Sequence, residues 1–201
     1  MANSRYSRQL VDAQLLVELV FFWPEELDAK CEARILSSVH AVPAAAPGVQ
    51  RWRAFGMDLL AGSKLDLSLC RVNPADVCLQ FTGGDGKRPQ RRETFQRLGM
   101  VSRWLNVPVG DWLAEQLPHG TQDRHTTDRE ARGHRICRAV GKHRSPGVSF
   151  IRNRWMEVET AAWICPHDGR LYAVSRQSVP SGESSVVPVE QLLSCCTSRP
   201  L

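Results

Sequence analysis

"HGTQDRHTTDREARGHRICRAVGKHR" occupies residues 119–144. A solvated linker, a metal site and a surface for phosphates are the three readings this stretch allows. It carries four histidines, is dense in arginine and has little apolar character to bury. A segment of that composition does not offset its own ordering entropy, which predicts a basic polar loop over 119–146. Its arginines suit phosphate backbones, which they neutralise without reading sequence.

The period of the flanking sequence is clearer. "KLDLSLCRV" (64–72) and "DVCLQFT" (76–82) both alternate apolar and polar residues across an Asn73-Pro74 turn signal, which predicts a β-hairpin. The apolar positions in both runs are odd-numbered, so matching the faces sets odd residues opposite odd ones. One such register places Cys70 opposite Cys78; the next does not. Downstream, β period returns in "GVSFIR", "WMEVETAAWIC" and "RLYAVS", with Asp168-Gly169 turning the last pair. "VVPVEQLL" reads as a final strand and short helix, and "SCCTSRPL" as a frayed tail.

The rest reads as helical. Leu10, Ala13, Val17, Val20 and Phe21 recur with helical spacing over 6–22. Pro24, Glu25 and Glu26 suit the start of a second helix carrying Leu27, Cys31, Ile35 and Val39. Phe95, Leu98, Val101 and Leu105 form the stripe of a third helix, and Gly110-Asp111 starts a shorter one through Leu117. The expected fold is therefore α+β, with helices packed on an antiparallel sheet built from two β-hairpin regions. Residues 1–118 form a helical hairpin, a β-hairpin and a helix pair. Residues 119–146 form the basic loop. Residues 147–201 are β-rich and pack on the first part as one domain.

At 201 residues and 42% hydrophobic the chain can bury a core. The apolar run at 15–23 contains Glu18 and is far too short to span a membrane, so no membrane partner is expected. The net charge is +5, carried by 22 Arg and 4 Lys. That charge is segregated: residues 86–103 sum to +5 and 119–154 to +6, which leaves −6 for everything else. Segregated positive charge attracts polyanions. The residues predicted to bind nucleic acid are Lys87, Arg88, Arg91, Arg92, Arg129, Arg132, Arg135, Arg138, Lys142, Arg144, Arg152 and Arg154. The expected function is that of a non-enzymatic basic accessory protein binding DNA or RNA with little sequence specificity. The alternatives are a regulatory factor of viral or mobile-element type with an acidic protein partner, and a small enzyme with an unrecognised site.

Specific chemistry is thinly signalled. Seven cysteines are an odd number in no regular framework, which places the chain in a reducing compartment, cytoplasmic or nuclear rather than secreted. No cofactor and no stoichiometric zinc are expected. If a metal is bound, the set to try is Cys137, His143, Cys165 and His167, although their spacing fits no standard finger. "CPHDG" (165–169) holds a thiol and an imidazole, but it reads first as a hairpin end. "FTGGDGKRPQ" fails as a Walker A loop, with Phe81 where glycine is needed and Arg88 where serine or threonine is needed. Residues 92–117 read as a structural helix pair, because "DWLAEQL" offers little to base edges.

Overall fold

In the computed structural model the described residues are 2–10, 15–38, 48–84, 90–145, 154–180 and 187–196. The chain divides into two compact units, Met1–Pro43 and Ala44–Leu201. Among the described residues the architecture is nearly all-β, 58% strand and 15% helical, in three sheets, one of them seven-stranded. This overturns the expected α+β fold.

The first unit is a hairpin of β1 (Ala2–Leu10) and β2 (Leu15–Trp23), followed by α1 (Ala29–Ser38). The helix expected over 6–22 is thus two strands. Along β2, Val17, Leu19, Phe21 and Trp23 are half-buried, while Glu18, Val20 and Phe22 are exposed. That is a period of two, and the aromatic and β-branched side chains suit a pleated surface. The second helix is present, but it starts later than Pro24. Asp28 caps it by accepting from the Cys31 N–H at 2.9 Å. Glu32 of α1 is buried and gathers three donors from the hairpin: the Ser4 hydroxyl, the Tyr6 hydroxyl at 2.6 Å and the Trp23 indole N–H at 2.8 Å. Those hydrogen bonds, Ser4 foremost, hold its carboxyl below the usual carboxylate range.

In the second unit, β3 (Val49–Ala54), β4 (Met57–Gly62) and β12 (Leu193–Ser194) form a sheet in the order β12-β4-β3. The large sheet comprises β5 (Asp66–Asn73), β6 (Asp76–Gly83), β7 (Arg91–Leu98), β8 (Gln122–Ala131), β9 (His134–Ser145), β10 (Arg154–Ile164) and β11 (Leu171–Ser178). Its order is β5-β6-β7-β11-β10-β9-β8, antiparallel throughout. One face buries Phe81, Phe95, Ala161, Trp163, Tyr172 and Val174 against Met57, Leu59 and Ala61 of the small sheet. Phe81 and Phe95 meet edge to face at 5.7 Å. The other face sets Ala139, Val158, Ala162, Leu171 and Ala173 against Val101 of α2 (Val101–Trp104) and Leu113 of α3 (Val109–Glu115).

The hairpins β5–β6 and β10–β11 lie where the alternation put them, and α3 overlaps the expected short helix but starts one residue earlier and ends at Glu115. "GVSFIR" lies outside the described residues. The odd-to-odd register holds at Leu67↔Phe81, but a bulge at Ser68 then shifts the parity, so Cys70 faces Leu79. The third helix is instead strand β7. Glu93 and Phe95 are fully buried on one face, and the left-handed Met100 (φ 52°) separates the strand from α2.

The basic stretch is a hairpin, not a loop. β8 pairs along β9 in the register Ala131↔His134, and Arg132-Gly133 forms the turn. β8 buries almost nothing. As an edge strand it needs only its backbone ladder, and its charges discourage pairing with another chain. β9 supplies the burial, with Ile136 on one face and Cys137 and Ala139 on the other.

Candidate metal centre

Two hairpin ends and one short strand bring four ligand-type side chains together. His134 opens β9 immediately after the Arg132-Gly133 turn. Cys165 follows the last residue of β10. The β9–β10 pairing ends at Ala162↔Cys137, and three residues further that register sets Cys165 opposite His134. The β10–β11 turn fixes Cys165 by its backbone, through hydrogen bonds of 2.9 Å with Arg170 and Gly169. Cys195 and Cys196 follow β12, which is held on β4 through Leu193↔Leu59 and Ser194↔Asp58.

The ligand atoms of His134, Cys165, Cys195 and Cys196 all lie within 4.8 Å of one another. Tetrahedral zinc with Zn–S near 2.3 Å and Zn–N near 2.0 Å requires S···S of about 3.8 Å and S···N of about 3.5 Å. The Cys165–Cys196 and Cys195–Cys196 sulfurs are 3.9 and 3.5 Å apart. His134 Nε2 lies 3.2 Å from the Cys195 sulfur and 3.3 Å from that of Cys196. The surrounding contacts also suit a metal. His134 Nδ1 sits 2.7 Å from the Arg132 carbonyl oxygen. A proton on Nδ1 satisfies that contact and leaves the Nε2 lone pair facing the sulfurs. The Trp163 indole N–H donates to the Cys195 sulfur at 3.2 Å. Burial pushes the Cys195 thiol up to about 12 and raises Cys196 too, so a metal must displace protons to bind.

Of the sequence-derived metal candidates, the structure brings only Cys165 to this cluster. Cys137 faces the opposite side of β9, among the residues packed on the helices, and burial pushes its thiol up to about 11. His143 is buried nine positions along β9, and His167 is exposed in the β10–β11 turn. The set chosen from the sequence left out His134, although it lies in the same ligand-type run as Cys137 and His143, and left out Cys195 and Cys196. The vicinal cysteines gave a signal, but the tail was read as frayed, and without β9 as a strand nothing set His134 opposite Cys165.

The described residues among the predicted nucleic-acid contacts lie on β7, β8, β9 and β10 of the large sheet and in the β8–β9 turn. Four form ion pairs: Arg91 with Glu93, Arg129 with Glu190, Arg135 with Asp128 and Arg138 with Glu159. Arg92, Arg132, Lys142 and Arg144 make no ion pair with another described residue; Arg144 lies 5.0 Å over the Trp155 ring. Arg154 lies in β10, and Lys87, Arg88 and Arg152 lie outside the described residues. Among the described residues, no helix is long and apolar enough to cross a membrane.

The metal cluster borders a cavity of about 1360 Å³ that is also lined by Arg51, Arg53, Phe55, Arg132, His167 and Glu190. The sequence matches no known protein family and no curated protein.

Proposed function

We propose that this chain is a non-enzymatic binding module built around one structural zinc ion. His134, Cys165, Cys195 and Cys196 are its ligands. Four protein ligands fill a tetrahedral shell, which is the arrangement of a structural rather than a catalytic centre. The supporting observation is the fit of the sulfur–sulfur and sulfur–nitrogen separations to zinc. The ion joins the C-terminal segment to the end of the β9–β10 pair. It thereby supports Val189, Leu192 and Leu193, which complete the core between the two sheets. A second reading, nucleic-acid binding through arginines, draws support from the exposed Arg132, Lys142 and Arg144.

The test is thermal unfolding with and without a zinc chelator. Zinc at about 1,000 times its dissociation constant adds about 4 kcal/mol to folding. For a unit of this size the midpoint then falls on the order of 10 °C when zinc is removed. An unchanged midpoint after complete removal would show the metal to be adventitious.

A further inference from the structure

The hairpins β3–β4 and β8–β9 close in the same way. Each has a two-residue turn with both φ positive: Phe55 at 52° and Gly56 at 73°, Arg132 at 52° and Gly133 at 70°. Asn or Gly fits the first position of such a turn without strain; a bulky side chain does not. Two strained positions, each displaying a large side chain, line one cavity. Phe55 is 45% exposed there.

The chemistry around the two tips is asymmetric. Arg51 and Arg53 share one carboxylate, with Arg51 Nε 2.7 Å and Arg53 Nε 3.0 Å from Asp58, so one positive charge is left over. Arg132 reaches the Ser194 hydroxyl at 3.4 Å and makes no ion pair with a described residue. Glu190 is a buried acceptor whose side chain is 4% exposed. Arg129 occupies its Oε1, while Oε2 is buried with no hydrogen-bond partner among the described residues. The cavity thus offers cations for an anionic group beside a flat apolar surface.

We infer that the cavity takes a nucleotide unit, with its phosphate on Arg53 and Arg132 and its base against the Phe55 ring. The unit comes either from a single strand or from a free nucleotide. The inference deepens the binding-module reading and rests on it in one respect, because His134 anchors the backbone of Arg132.

The test uses zinc-loaded protein and three probes: a labelled mixed-sequence single-stranded oligonucleotide, a mononucleotide and inorganic phosphate. The variants are Phe55→Asn and Arg132→Asn, which replace strained residues with one that suits the turn, so folding is retained. Phe55→Asn is expected to weaken oligonucleotide binding about tenfold through lost stacking. Arg132→Asn is expected to weaken it and to lower the log–log salt slope by about 0.7. A mononucleotide that competes as well as the oligonucleotide identifies the free nucleotide as the ligand; preference for the oligonucleotide identifies the strand. The inference is overturned if no nucleotide probe binds, if phosphate alone competes equally, or if neither variant changes affinity. Zinc content is measured on every sample. Nucleotide binding by zinc-free protein would support the cavity while counting against the metal centre, so the two failures are distinguishable.

Discussion

Glu93 is the most heavily committed carboxylate in the second unit, and its replacement tests the packing directly. Its side chain is 0% exposed. Oε1 accepts from Arg91 at 2.6 Å and from Arg176 Nε at 3.2 Å, while Oε2 accepts from the Gly62 N–H at 2.9 Å. One residue therefore joins β7 and β11 to the small sheet. Glu93→Gln keeps the shape and removes the charge. Whichever way the amide turns, its NH₂ group faces a donor, either the Gly62 N–H or the guanidinium groups. Arg176, with a 4% exposed side chain, retains the more distant Glu159 carboxylate at 3.7 Å. Removing one partner of a buried pair costs about 3–5 kcal/mol, and the lower end applies because Glu159 remains. We expect a loss of about 3 kcal/mol in denaturant unfolding followed by circular dichroism, or a midpoint drop of about 6–12 °C. Arg176→Met removes the same contact and also the donor to the Val187 carbonyl at 2.9 Å. The double variant should cost about 2 kcal/mol less than the sum of the singles. A Glu93→Gln loss below about 1 kcal/mol, with additive singles, would refute this account of the buried pair.

Two further outcomes follow from local geometry. At Gly141 an added Cβ meets Thr121 Cγ2 at 2.4 Å and the Gln122 carbonyl oxygen at 3.0 Å, so Gly141→Ala should cost about 1–3 kcal/mol and speed hydrogen exchange at the start of β8. Unchanged exchange there would count against the β8–β9 pairing. Because the Ser4, Tyr6 and Trp23 hydrogen bonds depress the Glu32 carboxyl, their stabilisation is present above the unfolded carboxyl value of about 4.3 and is lost as pH falls through the folded value. The Trp23 indole N–H resonance should shift in that acid window in the native protein and not in Glu32→Gln.

The sequence revealed strands wherever alternation carried the signal. Val77, Leu79 and Phe81 announce β6, and Ala161, Trp163 and the Asp168-Gly169 turn announce β10–β11. It misled where two periods overlap. Phe95 and Leu98 are three apart, which fits a helix stripe, yet Glu93 shares the buried face of Phe95, a pairing visible only once Arg176 is brought opposite. The basic hairpin was hidden for a different reason. β8 earns its place through backbone hydrogen bonds to β9, which composition does not report. Losing β9 as a strand also lost the site, because His134 and Cys165 are 31 residues apart in sequence and meet only through the register. The vicinal Cys195 and Cys196 then lacked partners to complete a ligand set.

The most direct measurement is elemental zinc per chain in the native protein and in two groups of single variants. The account predicts one zinc per chain in the native protein. It predicts loss of that zinc in His134→Ala, Cys165→Ser, Cys195→Ser and Cys196→Ser, and retention in Cys137→Ser and His167→Ala. A native protein without zinc, or one that loses it through Cys137 or His167 and keeps it without Cys195 and Cys196, would contradict the account.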